Sequence, residues 1–211
     1  MTARLIWVTP EAEHHVAFCA RVSNPTNQEN RDTEAKLLRY CIKNSHWSVF
    51  EMASMCIEIV TSRTIARQIL RHRSFSFQEF SQRYAKSDTC MIINEARRQD
   101  TKNRQNSIDD LCEEEKEWFR EAQRQVFALA YTRYEEALEK GVAKEAARTF
   151  LPEGNTQSRM YMTGSIRSWI TYLQVRLDES TQLEHRMVAQ EIQAIFIEQL
   201  PVISKALEWT K

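Results

Sequence analysis

Arg71-His72-Arg73-Ser74-Phe75-Ser76-Phe77-Gln78-Glu79-Phe80-Ser81-Gln82-Arg83-Tyr84 has no clean helical or strand period, yet it lies between segments that do. Over residues 74–84 it reads as a loop or a short turn of helix. Upstream, Ala53, Met55, Ile57 and Ile59 alternate with Ser54, Cys56 and Glu58, the pattern of a half-buried strand. Thr61 or Ser62 can cap the next helix, whose apolar side carries Ile65, Ile69 and Leu70. Downstream, Thr89 to Ile93 reads as a strand, and a long amphipathic helix runs from about Leu111 to Lys140. A short helix from Ala143 to Phe150 stops before Pro152.

The ends of the chain continue the mixture. Residues 4–9 read as a first strand, Glu11 to Ala20 as a short helix and Asn24 to Asn30 as a polar loop. Ala35, Leu38, Cys41 and Ile42 recur at helical spacing from Thr33 until Asn44 to His46 ends the helix. Thr156 to Thr163 is strand-like. Ser165 can cap a helix with the stripe Ile166, Trp169, Ile170, Leu173 and Leu177. The last helical region spans Thr181 to Trp209, with Pro201 kinking or restarting it. The expected fold is α+β with helix in excess, a single domain over residues 1–211.

Composition narrows the function. The 211 residues are 42% apolar and 27% charged, with a formal net charge of zero. That balance argues against a strongly basic nucleic-acid binder. No apolar run approaches the roughly 20 residues of a membrane span. The first ten residues show no signal-peptide pattern, so a cytoplasmic location is expected. Five cysteines without a CxxC pair suggest neither a disulfide framework nor a zinc site, and no metal is expected. The three glycines exclude a GxGxxG fingerprint and a Walker loop. Any nucleotide bound here needs side chains to hold its phosphates.

The segment from Ser62 to Tyr84 offers such side chains. Arg63, Arg67, Arg71, Arg73 and Arg83 stand against the single carboxylate Glu79, and lysine is absent. Arg63, Arg67 and Arg71 are four apart and share a helix face, where like charges repel. The cluster needs anions from elsewhere. Guanidinium in place of ammonium favours planar, bidentate recognition of phosphate or carboxylate. Three readings answer that need: a bound phosphate ligand, a nucleic acid, or acidic side chains across a subunit interface.

Arg71-His72-Arg73, seven residues and then Ser81 resembles the RHR-x7-S signature of the flavin-dependent thymidylate synthases, with Ser76, Glu79, Arg83 and Tyr84 also in register. Gln78 departs from the family's usual Asn. His46-Trp47-Ser48-Val49-Phe50-Glu51 is similar to the family's His-x-Ser/Thr-x-Phe-Glu stretch, with Met52 in place of the next His. Ala146-Ala147-Arg148, Leu151-Pro152, Ser165-Ile166-Arg167-Ser168 and Leu173-Gln174-Val175-Arg176 resemble further family segments, Ser165 replacing an Asn. Ser180 stands where many relatives have His, so flavin contacts through that His do not carry over.

The resemblance implies a central, mostly antiparallel sheet and a methyltransferase of nucleotide biosynthesis. dUMP becomes dTMP, 5,10-methylenetetrahydrofolate supplies the carbon, NADPH the electrons and FAD the relay. It also implies a homotetramer with active sites where subunits meet, and no nucleic-acid or membrane partner. The positions carried over for dUMP are Gln68, Ile69, Leu70, Arg71, Glu79, Phe80, Ser81, Gln82, Arg83, Arg148 and Arg176. Those for FAD are Ser48, Arg71, His72, Arg73, Glu79, Ser165, Ile166 and Arg167. Arg176 is the expected catalytic residue, stabilising charge that develops on uracil. No cysteine falls in a matched motif. Ser81 is the nucleophile by position, but no base pairs with it in sequence, so it is read as a dUMP ligand.

Overall fold

The computed structural model describes residues 1–87 and 90–210. In chain order the elements are β1 (Thr2–Val8), α1 (Ala12–Ala20), α2 (Glu34–Lys43), β2 (Ser54–Ser62), α3 (Arg63–Ile69), β3 (Ser76–Glu79), β4 (Arg98–Gln99), β5 (Ser107–Ile108), α4 (Glu113–Glu139), α5 (Lys144–Ala147), β6 (Gln157–Ser165), α6 (Ile166–Arg176), α7 (Leu183–Gln199) and α8 (Pro201–Ala206). Short 3-10 turns occupy Pro25–Asn27, Trp47–Glu51 and Arg148–Phe150.

The main sheet is four-stranded in the order β1-β2-β6-β3. All its pairings are antiparallel. β2 and β6 form its centre and pair over their full lengths, Ser54 opposite Ser165 and Ser62 opposite Gln157. Alternation decides which face is covered. Met55, Ile57 and Ile59 of β2 and Met160 and Met162 of β6 are fully buried, while Glu58 and Tyr161 on the other face are not. The buried face packs on Trp169, Ile170 and Leu173 of α6 and on Val188, Ile192 and Phe196 of α7. Burying one such large apolar side chain contributes about 1.5–3 kcal/mol. A smaller cluster, Tyr134, Ala137, Ala147 and Leu151, joins α4 to α5 and the turn after it.

Local signals explain the element ends. The Ser62 hydroxyl accepts from the Ile65 amide at 3.4 Å, and Ser165 accepts from the Ser168 amide at 3.2 Å. Each satisfies a helix donor that would otherwise be orphaned. The Cys112 amide donates to Glu115 at 3.1 Å, closing the acidic first turn of α4. Pro201 restarts the helix after Leu200, as its missing amide requires.

Two expectations need correction. Residues 74–84 are not all loop, because Ser76–Glu79 forms edge strand β3 on β6. Four residues are too few to display a period, and their backbone partners lie some eighty residues away in sequence. The strand expected from Thr89 to Ile93 begins outside the described residues. Within its remainder, Met91 makes an isolated bridge to Thr156, and the Ile92 amide donates to the Asn155 carbonyl at 2.8 Å. The small β4–β5 hairpin had no alternating signal to announce it.

The loop after α3 is held to the sheet by Phe75, which rests edge-on against Trp169 with ring centroids 4.8 Å apart. Gly164 makes the room, since a Cβ there would meet Phe75 Cδ1 at 2.5 Å. Gly164→Ala is expected to destabilise the fold by about 1–3 kcal/mol through overpacking. A lowered urea midpoint at unchanged slope checks this; an unaltered midpoint contradicts the contact.

Candidate active site

α3 organises the site because its two ends carry different chemistry. Arg63 and Arg67, one turn apart, line a cavity of about 390 Å³ together with Gln82, Arg148, Thr149, Leu151 and Glu153. Arg63 Nη1 lies 3.7 Å from Glu79 Oε1, and the same oxygen accepts from Ser158 Oγ at 2.5 Å. Arg67 pairs with Glu153. Arg148 Nε donates to the Glu145 carbonyl at 3.2 Å, and Arg83 Nε donates to the Glu145 carboxylate at 3.2 Å. Gln82 is buried and donates to Ser87 Oγ at 3.2 Å. Three guanidinium groups therefore line the cavity with one carboxylate, a surplus of positive charge suited to an anion. The ion pairs of Arg67 and Arg83 are about half exposed, so each contributes no more than about 1 kcal/mol and yields readily to a phosphate.

At the other end, Gln68 and His72 meet the end of α6 and the start of α7. Arg176 Nε donates to His72 Nε2 at 2.9 Å. A ring nitrogen that accepts carries no proton, so His72 is neutral here. Burial and, second, the Arg176 charge push its pKa down to about 4. The His72 ring stands edge-on to Tyr172, centroids 4.9 Å apart. Tyr172 Oη in turn lies 3.0 Å from His185 Nε2. Burial raises the Tyr172 pKa and lowers that of His185 to about 3, the latter with help from Arg176 and His72.

A third group collects where α6 begins. Ser168 Oγ donates to the Ser74 carbonyl at 3.1 Å, tying the segment after Arg71-His72-Arg73 to α6. Arg167 Nη1 donates to Glu51 at 3.2 Å with both side chains exposed. Ser48 is exposed in the neighbouring turn. Among the described residues, neither Arg71 nor Arg73 has a side-chain hydrogen bond or ion pair, and both are exposed.

The structure thus distributes the sequence-selected residues. Gln82 and Arg148 share the arginine cavity, Gln68, His72 and Arg176 the second group, and Ser165 and Arg167 the third. Phe80 is exposed. Ile69 and Ile166 are fully buried and Leu70 is partly so. Ser81 Oγ accepts from the Arg83 amide at 3.4 Å and, among the described residues, meets no histidine or carboxylate. Sequence reasoning did not assign Arg63 and Arg67 to a ligand, although their spacing was the available signal. It missed Thr149, Glu153, Tyr172 and His185, which reach their places only through tertiary packing. A larger cavity of about 610 Å³ is walled partly by Leu111, Trp118 and Phe119 and takes in none of the sequence-selected residues. Charge, not size, identifies the candidate site.

Fold and site define an α+β protein in which arginine side chains, in a chain without a phosphate-binding glycine loop, line a cavity with a surplus of positive charge. The family model described as Thy1, thymidylate synthase complementing protein, matches residues 4–202, and the chain belongs to that family. It is 56% identical over 194 residues to a flavin-dependent thymidylate synthase of Synechocystis, covering 92% of this chain and 88% of that one. It is 49% identical over 216 residues to a probable flavin-dependent thymidylate synthase of Paramecium bursaria Chlorella virus 1, covering 99% and 100%. The fold also resembles the crystal structure of the UMP/dUMP methylase PolB from Streptomyces cacaoi bound with 5-Br dUMP. That likeness has a TM-score of 0.88 at 24% identity and covers 98% of this chain and 94% of that one.

The lowered histidine values predict a pH response. In an unfolded chain both rings return to ordinary values near 6.5. Below that pH the unfolded chain takes up protons that the folded protein refuses. The contribution of these neutral rings is therefore full above about 6.5 and declines as pH falls toward about 4 for His72 and about 3 for His185. Imidazole NMR across this range is expected to show both rings neutral at about pH 5.5, where a free ring is mostly charged. A midpoint near 6.5 for either ring contradicts this assignment.

Proposed function

We infer that this protein is a flavin-dependent thymidylate synthase that converts dUMP to dTMP, taking its carbon from 5,10-methylenetetrahydrofolate and its electrons from NADPH. The observation that carries the reading is the gathering of Arg63, Arg67 and Arg148 about one cavity in a chain without a phosphate-binding glycine loop. The dUMP phosphate supplies the anion that this surplus charge requires. Gln68, Arg71, Glu79, Ser81, Gln82, Arg83, Arg148 and Arg176 are the polar ligands of dUMP, flanked by Ile69, Leu70 and Phe80.

The residues fit FAD. Arg71 and Arg73 are exposed guanidinium groups without an acid among the described residues, which suits a pyrophosphate. Ser48, His72, Glu79, Ser165, Ile166 and Arg167 complete the proposed flavin contacts. When bound, the flavin supplies the hydride for reductive methylation. The chain's own part is binding, orientation and charge. Arg176 commits Nε to His72, which leaves its two terminal nitrogens to face the charge that develops on O4 and around N3 of uracil. A half-buried site strengthens that attraction over its value in water. Ordinary thymidylate synthases use a Cys nucleophile, but no cysteine lines the arginine cavity. Ser81 serves as a ligand.

The working form is a homotetramer with active sites where subunits meet. Supporting this, α4 exposes apolar Trp118 (70%), Val126 (58%) and Leu129 (60%) at helical spacing on the side away from its buried Phe127 and Tyr134. Such a stripe in water favours a partner surface. The cysteines are all free, in keeping with a cytoplasmic location.

The purified protein is expected to be yellow and to form dTMP from dUMP, methylenetetrahydrofolate and NADPH, oxidising NADPH faster when dUMP is present. A colourless protein that forms no dTMP rejects the assignment; a salt-dependent gel shift would then favour a nucleic-acid role for the arginines. Arg176→Ala is expected to lose about a hundredfold or more in dTMP formation while keeping its flavin, the scale for removing one preorganised donor. Near-normal turnover would take Arg176 out of its role. Leu129→Glu is expected to sediment as a species smaller than the tetramer, and an unchanged sedimentation profile would show that the α4 stripe is not the contact.

A further inference from the structure

A chain of hydrogen bonds leaves the site through Gln68, and its direction is fixed by charge at the far end. Arg97 Nη2 lies 2.7 Å from Glu184 Oε1, with both side chains largely buried. The ionised Glu184 can only accept, so Gln182 must turn its NH₂ toward it, as it does at 2.8 Å. The Gln182 carbonyl oxygen is then left to accept from the Gln68 NH₂ at 2.7 Å. That in turn leaves the Gln68 carbonyl oxygen facing His185 Nδ1 at 3.2 Å. A carbonyl oxygen needs a donor, so His185 carries its proton on Nδ1. Its bare Nε2 then accepts from Tyr172 Oη at 3.0 Å.

Each link has one consistent polarity, and the two rings at its end lie against His72, the acceptor of Arg176. His185 is fully buried. It stands between the side-chain amide of Gln68 and the Tyr172 ring that braces His72, the acceptor of Arg176. We propose that His185 is a positioning residue for dUMP binding: as the neutral Nδ1–H tautomer it locks the Gln68 amide with its carbonyl turned inward. With one N–H of Gln68 held by Gln182, its second N–H is the group left toward the ligand. Gln68 then reads dUMP as a donor, and a ligand presenting a donor at that point meets a mismatch. The ligand half of this inference rests on the proposed function; the tautomer does not.

The test has two arms. Long-range ¹H–¹⁵N NMR of the wild-type protein is expected to show the His185 proton on Nδ1 near neutral pH. A proton on Nε2, or a charged ring, overturns the inference without reference to any ligand. In the second arm, dUMP binding and steady-state rates are measured for His185→Leu and His185→Asn. Leucine leaves the partly buried Gln68 carbonyl without its His185 donor and is expected to weaken dUMP binding about tenfold or more. KM for dUMP rises more than kcat falls, because Arg176 itself is intact. Asparagine places an N–H near the position of Nδ1 and is expected to restore most of the affinity. Wild-type-like binding in the leucine variant, or equal impairment of both variants, overturns the positioning role. A wild-type protein that takes up no dUMP overturns the proposed function instead.

Discussion

The antiparallel pairing of β2 with β6 is the constraint on which the rest of the molecule depends. The strands match residue for residue, and each runs directly into a helix capped by its own last serine, Ser62 or Ser165. Antiparallel pairing puts those two caps at opposite ends of the sheet. α3 and α6 therefore start apart and lie over the same apolar face, which Met55, Ile57, Ile59, Met160 and Met162 supply. The contact between His72, just beyond α3, and Arg176, at the last turn of α6, follows from that arrangement. A one-residue slip in the register would turn the buried side chains outward and remove the contact together with the core.

The guanidinium groups show how one residue type is given different tasks by its surroundings. Arg176 is half-buried against a neutral imidazole, which orients it without cancelling its charge. Arg63 shares Glu79 with the Ser158 hydroxyl, so that carboxylate is fixed from two sides. Arg67 and Arg83 hold exposed acids that a stronger anion can displace, and Arg71 and Arg73 hold none among the described residues. The sequence presents Arg63, Arg67 and Arg71 as one row along a helix face. Folding divides them, because α3 ends at Ile69 and the chain turns before Arg71.

That division marks the limit of what was legible beforehand. The helices and long strands were readable because each repeats an apolar period over many residues. The serine caps were readable because their chemistry is local. β3 was not, since an edge strand of four residues is defined by its partner β6 and not by its own pattern. The arginine surplus was visible as composition, but its cavity needed Arg148 and Glu153 from the far side of α4. His185 gave no signal at all: in sequence it is a lone histidine on an otherwise apolar helix face. Its meaning depends on Tyr172, thirteen positions earlier, and on Gln68, more than a hundred positions earlier.

Gly164 carries a consequence for how such a chain can change over time. The hydrogen at that position is what lets Phe75 lie across β6 and hold the arginine-bearing loop in place. Neither residue can drift alone: a larger residue at 164 evicts the ring, and a smaller one at 75 leaves a hole over the strand. Neutral divergence at the two sites is thereby linked, and a lineage that abandons one must soon replace the other. In this sense the smallest side chain in the sheet helps set the pace at which the loop beside the site can evolve.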